Sequence, residues 1–262
     1  MEGFGGVEGI KKGKGELYDF LKADDGVAFV NGDDPVLMDM QKSRPLSKVV
    51  LYGTSNKDNS VIGKLTENSP LLALEWTNKL SKESYPVKTQ LTGAYNLDNI
   101  LAAICIGVYF ELAADEINAG ITGYQPQNNR SQIKQTETNT LICDYYNANP
   151  SSMQVAIENI GKLQTDKKVL ILGDMFELGD ESPAEHAAII KKALDTDVDE
   201  RIFIGHDFVK QGSGIKNQKS GVKFYNTAEE AIEALKEHPI RNSTILIKGS
   251  RGMALERLVD LF

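Results

Sequence analysis

From residue 135 onward the chain repeats one unit: a short apolar run, a polar turn and an amphipathic stretch. Few folds admit that rhythm. Strand-like runs fall at residues 140–143, 169–172, 201–204, 223–225 and 244–247, with helical patterns at 152–163, 183–194, 228–237 and 253–261. The central runs are apolar at successive positions, so both faces of those strands must be covered. Strands joined through helices pair in parallel, and their right-handed crossovers put helices on both faces of the sheet. A doubly wound α/β domain is expected over residues 126–262.

The first half reads differently. Strand-like runs at 26–31, 48–52, 60–65, 71–77 and 85–91 include consecutive ones with no helix between them, so antiparallel ribbons are expected after about residue 55. The stretch NLDNILAAICIGVYFEL (96–112) is apolar around most of its circumference, which marks a helix buried on several sides with Asn96 as its N-cap. A shorter helix at 114–119 ends at Gly120, and Gln125-Pro126-Gln127 marks the domain boundary. Another helix is expected over KGELYDFLK, with Lys14 exposed at its start.

Composition excludes several classes of partner. Against 29 Lys and Arg stand 37 Asp and Glu, a net charge of −8. Both halves are acidic, which speaks against a nucleic-acid backbone or an anionic membrane. No apolar run approaches the roughly 18 residues of a membrane span, and residues 1–20 lack a signal-peptide core. Cys105 and Cys143 lie in apolar stretches, as expected of reduced, buried thiols in a cytoplasmic protein. Three histidines without a CxxC or HxxxH pair speak against a Cys/His metal site.

In open α/β sheets ligands bind beyond the carboxyl ends of the strands. Three strands of the second half run into DYYNANPSSM (144–153), GDMFELG (173–179) and KGSRG (248–252). KGSRG is the candidate anion site: glycines let backbone N–H groups approach a ligand, two cations flank them, and a helix N-terminus is expected next. The alternative is a solvated loop closing the last strand. Asn149 and Ser151 are candidate caps for the following helix, which leaves ligand contact open. Asp174 and Glu177 read either as turn formers or as site residues.

GIKKGKG (9–15) is a near miss for a phosphate-binding loop. That motif needs four residues between its glycines and a Ser or Thr after the lysine. Here there are three, Gly15 follows Lys14, and no strand precedes, so a nucleotide cradle is rejected at this position. His186, His206 and His238 are dispersed, and no Ser/His/Asp or Cys/His arrangement is legible.

Six segments follow one another along nearly the whole chain: EGFGGVEGIKKGKGE, AYNLDNILAA, NNRSQ, DYYNANPSSM, GDMFELGDESPAEH and KGSRGMALE. In kind and order they resemble the Mur ligases, the ATP-dependent amide ligases of bacterial peptidoglycan synthesis. YNANPSSM, GDMFELG and KGSRGM together resemble the branch that adds D-alanyl-D-alanine. The resemblance implies a parent enzyme with a uridine-nucleotide domain, a central ATPase domain and a Rossmann-like C-terminal domain. It implies ATP and Mg²⁺ as cofactors and UDP-N-acetylmuramoyl-tripeptide and D-alanyl-D-alanine as substrates. The tripeptide carboxylate would be activated as an acyl phosphate and attacked by the dipeptide amine.

Residue roles follow by motif position. Lys14 matches a family lysine that is carbamylated; a carbamate, unlike an ammonium, can help hold Mg²⁺. Asn96 and Asn99 match asparagines near the adenine, where amides can both donate and accept. Arg130 matches the arginine at the phosphates and Asp144 the acid at the ribose. Lys248, Ser250 and Arg251 match a motif facing substrate carboxylate or phosphate, and Asn147 and Asn149 share that substrate edge. Catalytic roles fall to Lys14, Arg130 and Lys248.

The departures also matter. The family's uridine-nucleotide domain, its GxxxxGK[ST] loop and the glutamate that follows have no counterpart, and the match begins just after the family's metal-binding histidine. Cys143 stands where a second acid is usual beside Asp144, and Tyr95 where a histidine is common before Asn96. The expectation is the C-terminal part of a central ATPase domain over 1–125, with antiparallel ribbons, and a complete C-terminal domain over 126–262. Phosphoryl transfer depends on the loop, its lysine and Mg²⁺, so this polypeptide alone is expected to be inactive. Other readings are a non-catalytic binding module derived from such a ligase and an amide ligase for a different amino acid. A parallel sheet lacking a strand has an unpaired edge, so a rearranged first half or self-association through that edge is expected.

Overall fold

The structure, a computed structural model, describes residues 6–68, 71–126, 132–215 and 220–262. The chain divides into two compact units, Met1–Tyr124 and Gln125–Phe262. Each is an α/β unit around one mixed sheet.

In the first unit, helix α1 (Gly6–Ala23) leads into β1 (Val27–Asn31), α2 (Pro35–Ser43), β2 (Lys48–Gly53), β3 (Val61–Asn68), β4 (Leu72–Asn78), β5 (Glu83–Lys88), α3 (Asn96–Tyr109) and α4 (Ala114–Gly123). The strands lie in chain order, parallel from β1 to β3 and antiparallel from β3 to β5. The expected antiparallel ribbons are β3–β4–β5. Leu74 and Trp76 of β4 pack with Leu101 and Ile104 of α3, the helix with the widest apolar surface. Tyr18 of α1 and Met40 of α2 pack separately on Ala28 and Val30.

Three expectations need correction here. Helix α1 starts at Gly6, so Lys14 is exposed in mid-helix rather than at a helix start. Packing overrides the poor propensity of its glycines: Gly15 is buried beneath the Arg44 guanidinium, where a side chain would collide. Asn96 is not a cap. Tyr95 holds that position without a side-chain bond, while Asn96 already lies in the helix and donates from Nδ2 to Thr92 O at 2.7 Å. Helix α2 is a third difference, started by Asp34, whose Oδ1 accepts from Val36 N and Leu37 N, with Pro35 in the first turn.

The second unit runs β6 (Gln132–Gln135), β7 (Asn139–Asp144), α5 (Pro150–Lys162), β8 (Lys168–Gly173), α6 (Ser182–Asp195), β9 (Glu200–Ile204), α7 (His206–Gln211), β10 (Val222–Tyr225), α8 (Ala228–Glu237) and β11 (Ser243–Lys248). The sheet order is β10-β9-β8-β11-β7-β6, parallel throughout except β6 against β7. Alternate strand residues serve opposite faces. Leu170, Leu172 and Phe203 meet α5, α6 and α7, whereas Val169, Ile171 and Ile202 meet α8 and the C-terminal turns. The doubly wound expectation holds, with an antiparallel edge strand added.

Residues 253–261 do not form the expected α-helix. They belong to two 3-10 stretches, Arg251–Met253 and Leu255–Leu261, separated by Ala254 at φ 50°. A left-handed residue cannot continue a right-handed α-helix. Short α7 and edge strand β6 lacked a legible pattern. Cys105 and Cys143 are free and buried, and burial pushes the Cys105 thiol up to about 11 and Cys143 above its ordinary value. Among the described residues no helix is long and apolar enough to cross a membrane.

Candidate functional site

In the second unit β11 lies between β7 and β8, so the loops after these three strands meet at one edge of the sheet. Lys248 and Asp144 are register partners at the ends of β11 and β7, and their side chains leave the same face side by side. Lys248 Nζ lies 2.7 Å from Asp144 Oδ2 and donates to Asn147 O at 3.2 Å. With its side chain 2% exposed, Lys248 needs that partner, because an unpaired buried charge is costly. Its charge is thus neutralised within the protein, and it ties β11 to the turn after β7.

That turn ends in a cap. Asn149 Oδ1 accepts from Ser152 N and from Ser151 Oγ, each at 2.9 Å, and Pro150 opens α5. The capping alternative for Asn149 is therefore realised, while Asn147 keeps an exposed side chain.

The loop after β8 is held from beneath. Asp174, 5% exposed, accepts from Asp207 N and Phe208 N, each at 3.0 Å, and so caps α7. Burial pushes its carboxyl above the ordinary value against those two donors. Gly205 at φ 129° makes the approach feasible, since a Cβ there would overlap the Asp174 carboxyl. His186 is fully buried. Its Nε2 accepts from Met175 N at 3.1 Å and its Nδ1 donates to Ser182 O at 2.8 Å, so the network assigns the neutral Nδ1–H tautomer. Asp174, His186 and Asp207 form a candidate metal cluster among the described residues. Their hydrogen bonds, together with Ser182 Oγ donating to Asp207 Oδ2 at 2.7 Å, account for them as a scaffold instead.

KGSRG closes the edge. Ser250 Oγ accepts from Phe176 N at 2.9 Å, and Ser250 N donates to Asp174 O at 3.2 Å, which joins the loops after β11 and β8. Positions 248–250 are buried, so this part is not a solvated loop, and a 3-10 turn stands where a helix N-terminus was expected. Arg251 is exposed. Its guanidinium carbon lies 5.4 Å from the Tyr146 ring centroid, and no acidic side chain pairs with it among the described residues. The two cations of the motif therefore differ: Lys248 is buried and paired with Asp144, whereas Arg251 is exposed. Tyr146 and Phe176 were missed as site residues; a lone aromatic in a strand-end loop is a weak signal.

In the first unit Asn99 Nδ2 donates to Asn96 Oδ1 at 3.2 Å, so buried Asn96 orients exposed Asn99. Lys14 is exposed on α1, and Arg130 lies outside the described residues. One feature had no sequence signal. Asp33 accepts from Ser55 N, Asn56 N and the Thr54 and Ser55 hydroxyls at 2.7–3.0 Å, and from Thr54 N. Burial works against its charge, but these donors outweigh it and hold the carboxyl down at about 2.

Residues 1–107 match the Mur ligase middle domain, and residues 129–251 match the Mur ligase glutamate ligase domain. The chain is 30% identical to the UDP-N-acetylmuramoyl-tripeptide–D-alanyl-D-alanine ligase of Bacillus subtilis (strain 168), over 99% of this chain and 56% of that protein. A MurF structure from Acinetobacter baumannii matches with a TM-score of 0.83 at 25% identity, covering 98% of this chain and 56% of that one. A MurF ligase from Thermotoga maritima in complex with ADP matches in fold, with a TM-score of 0.78 at 20% identity over 99% and 58% of the two chains. The chain thus spans about half the length of the curated relatives it matches. Both units are accounted for by domains of one family, and the chain belongs to the Mur ligases.

Proposed function

We propose that the chain supplies the middle-domain and C-terminal-domain part of an ATP-dependent amide ligase that joins D-alanyl-D-alanine to UDP-N-acetylmuramoyl-tripeptide in peptidoglycan precursor synthesis. Arg251 is the observation that carries this reading. A ligase that takes a dipeptide through its amine must hold the carboxylate that stays unactivated. Arg251 is exposed at the strand ends, its guanidinium carbon 5.4 Å from the Tyr146 ring centroid, and its N–H fork suits a planar anion. Likeness to relatives named for this reaction supports the choice of substrate.

The remaining roles are those the family resemblance implies, and the hydrogen bonds support them. Asn99 offers its amide to the adenine, and Asn96 fixes its orientation. Asp144 presents a carboxylate to the ribose, held in place by Lys248, which also anchors the turn after β7. Ser250 secures the loop after β8. Arg130 takes the phosphates by motif position. ATP, when bound, supplies the phosphoryl group that makes the tripeptide carboxylate an electrophile. A carbamylated Lys14 would offer an oxygen ligand to Mg²⁺, and no step is derived through the metal.

We expect this polypeptide by itself to form no product from UDP-N-acetylmuramoyl-tripeptide, ATP and D-alanyl-D-alanine. Turnover would refute that. The substrate reading is tested by saturation-transfer NMR of the same chain with D-alanyl-D-alanine, D-glutamate and L-lysine as probes. The dipeptide alone should give transfer; equal signals from the single amino acids, or none from any probe, would sink the reading.

A further inference from the structure

The loop after β8 buries its residues up to the aromatic one. Asp174 and Met175 are 5% and 1% exposed, whereas Phe176 is 46% exposed. A segment that only had to turn would carry a small polar residue there. Instead the backbone leading into the exposed ring is fixed by two bonds, Met175 N donating to His186 Nε2 and Phe176 N donating to Ser250 Oγ. Glu177 then turns the chain at φ 63°, a region that non-glycine residues seldom occupy.

The ring also has a defined neighbour. It lies against Gly252, where an added Cβ would come within 2.7 Å of Phe176 Cε2, so a side chain at 252 would displace it. Gly252 directly follows Arg251, whose guanidinium carbon lies 5.4 Å from the Tyr146 ring centroid. An exposed apolar ring on an anchored backbone thus packs on the residue next to a cation that has no acidic partner among the described residues. A ligand suited to both is small, carries a carboxylate and presents methyl groups next to it.

We infer that Phe176 is a specificity-determining residue of this site, packing on the methyl side chains of a dipeptide whose carboxylate pairs with Arg251. The inference rests on the reading given under Proposed function and adds the group that tells alanine side chains from glycine. A ring with two side-chain torsions on an anchored backbone loses little freedom when it is covered. A single methyl or methylene in an apolar contact discriminates by about tenfold or more.

Isothermal titration of the 262-residue chain with D-alanyl-D-alanine and with glycylglycine tests this. Both probes keep the amine and the carboxylate, and only the methyl groups differ. The unaltered chain should bind D-alanyl-D-alanine about tenfold more tightly. Phe176→Ala should erase the preference by weakening the methylated probe, and Phe176→Leu should retain part of it. Gly252→Ala, which displaces the ring without changing its chemistry, should also lower it. If Phe176→Ala leaves the preference intact, or weakens both probes alike, the inference is overturned while the reading of Arg251 stands. If the unaltered chain binds neither probe, that reading falls and takes the inference with it.

Discussion

Lys248 and Asp144 form an ion pair at 2.7 Å although they are 104 residues apart, and their side chains are only 2% and 13% exposed. Removing Asp144 leaves the Lys248 ammonium, 2% exposed, without its carboxylate. Asp144→Leu should therefore destabilise the chain by about 3–5 kcal/mol. Adding Lys248→Met should recover most of that loss, because the buried ammonium is then gone. Urea unfolding of both variants measures the difference; an equal loss in both would show that the pair is not the cause.

His186 gives a second test. Its Nε2 is the acceptor for Met175 N, deep in the second unit. In His186→Phe that amide loses its partner, at a cost of about 1–3 kcal/mol. Hydrogen exchange at the Met175 amide should speed up more than at amides of β9. Long-range ¹H–¹⁵N spectra of the unaltered chain should show the neutral Nδ1–H tautomer, and a protonated Nε2 at neutral pH would contradict the network.

Acid sensitivity should be traceable to Asp33. Its donors favour the ionised carboxylate in the folded chain, lowering its proton affinity from 3.8 to about 2. The stabilisation is therefore present above about pH 4 and lost as pH falls toward 2. Partial solvent screening limits it to about 1 kcal/mol. Asp174 runs the other way: burial raises its carboxyl, so its contribution declines as pH rises above 3.8. Asp33→Asn should flatten the acid limb of stability against pH, and an unchanged limb would refute the assignment.

Helix α1 allows a paired comparison. Nothing lies within 4 Å of a Cβ placed on Gly13, whereas one placed on Gly15 collides with the Arg44 guanidinium. Gly13→Ala should stabilise by about 0.5–1 kcal/mol, the ordinary gain for an open helical position. Gly15→Ala should gain less or lose stability, because Arg44 must move. Thermal melts of the two variants would contradict this if both rose equally.

What was legible in the sequence depended on how local the signal was. The strands of the second unit stand out because burial on both faces makes them apolar at successive positions, as in KVLILG of β8. Helix α3 was found for the same reason. Helix α2 carried an Asp-Pro start signal but buries one residue, Met40, so its apolar periodicity is faint. Strand β6 pairs only at the edge and needs little apolar surface. At the site, the three strand-end loops were evident from the alternation of elements, yet the state of their charges was not. Nothing near Lys248 in the chain shows that Asp144 neutralises it; register across β7 and β11 does. The role of His186 was equally hidden, since its partners Met175 and Ser182 bond to it through backbone atoms.

The central claim is that Arg251 holds the unactivated carboxylate of the incoming dipeptide. Titrating the chain with D-alanyl-D-alanine and with its C-terminal amide tests that contact most directly, because the probes differ only in that charge. The free dipeptide should bind more than tenfold tighter than the amide, in line with a charge-assisted bidentate pair worth about 1.5–3 kcal/mol. In Arg251→Ala the difference should vanish. Equal affinities in the unaltered chain, or a difference that survives Arg251→Ala, would contradict the account.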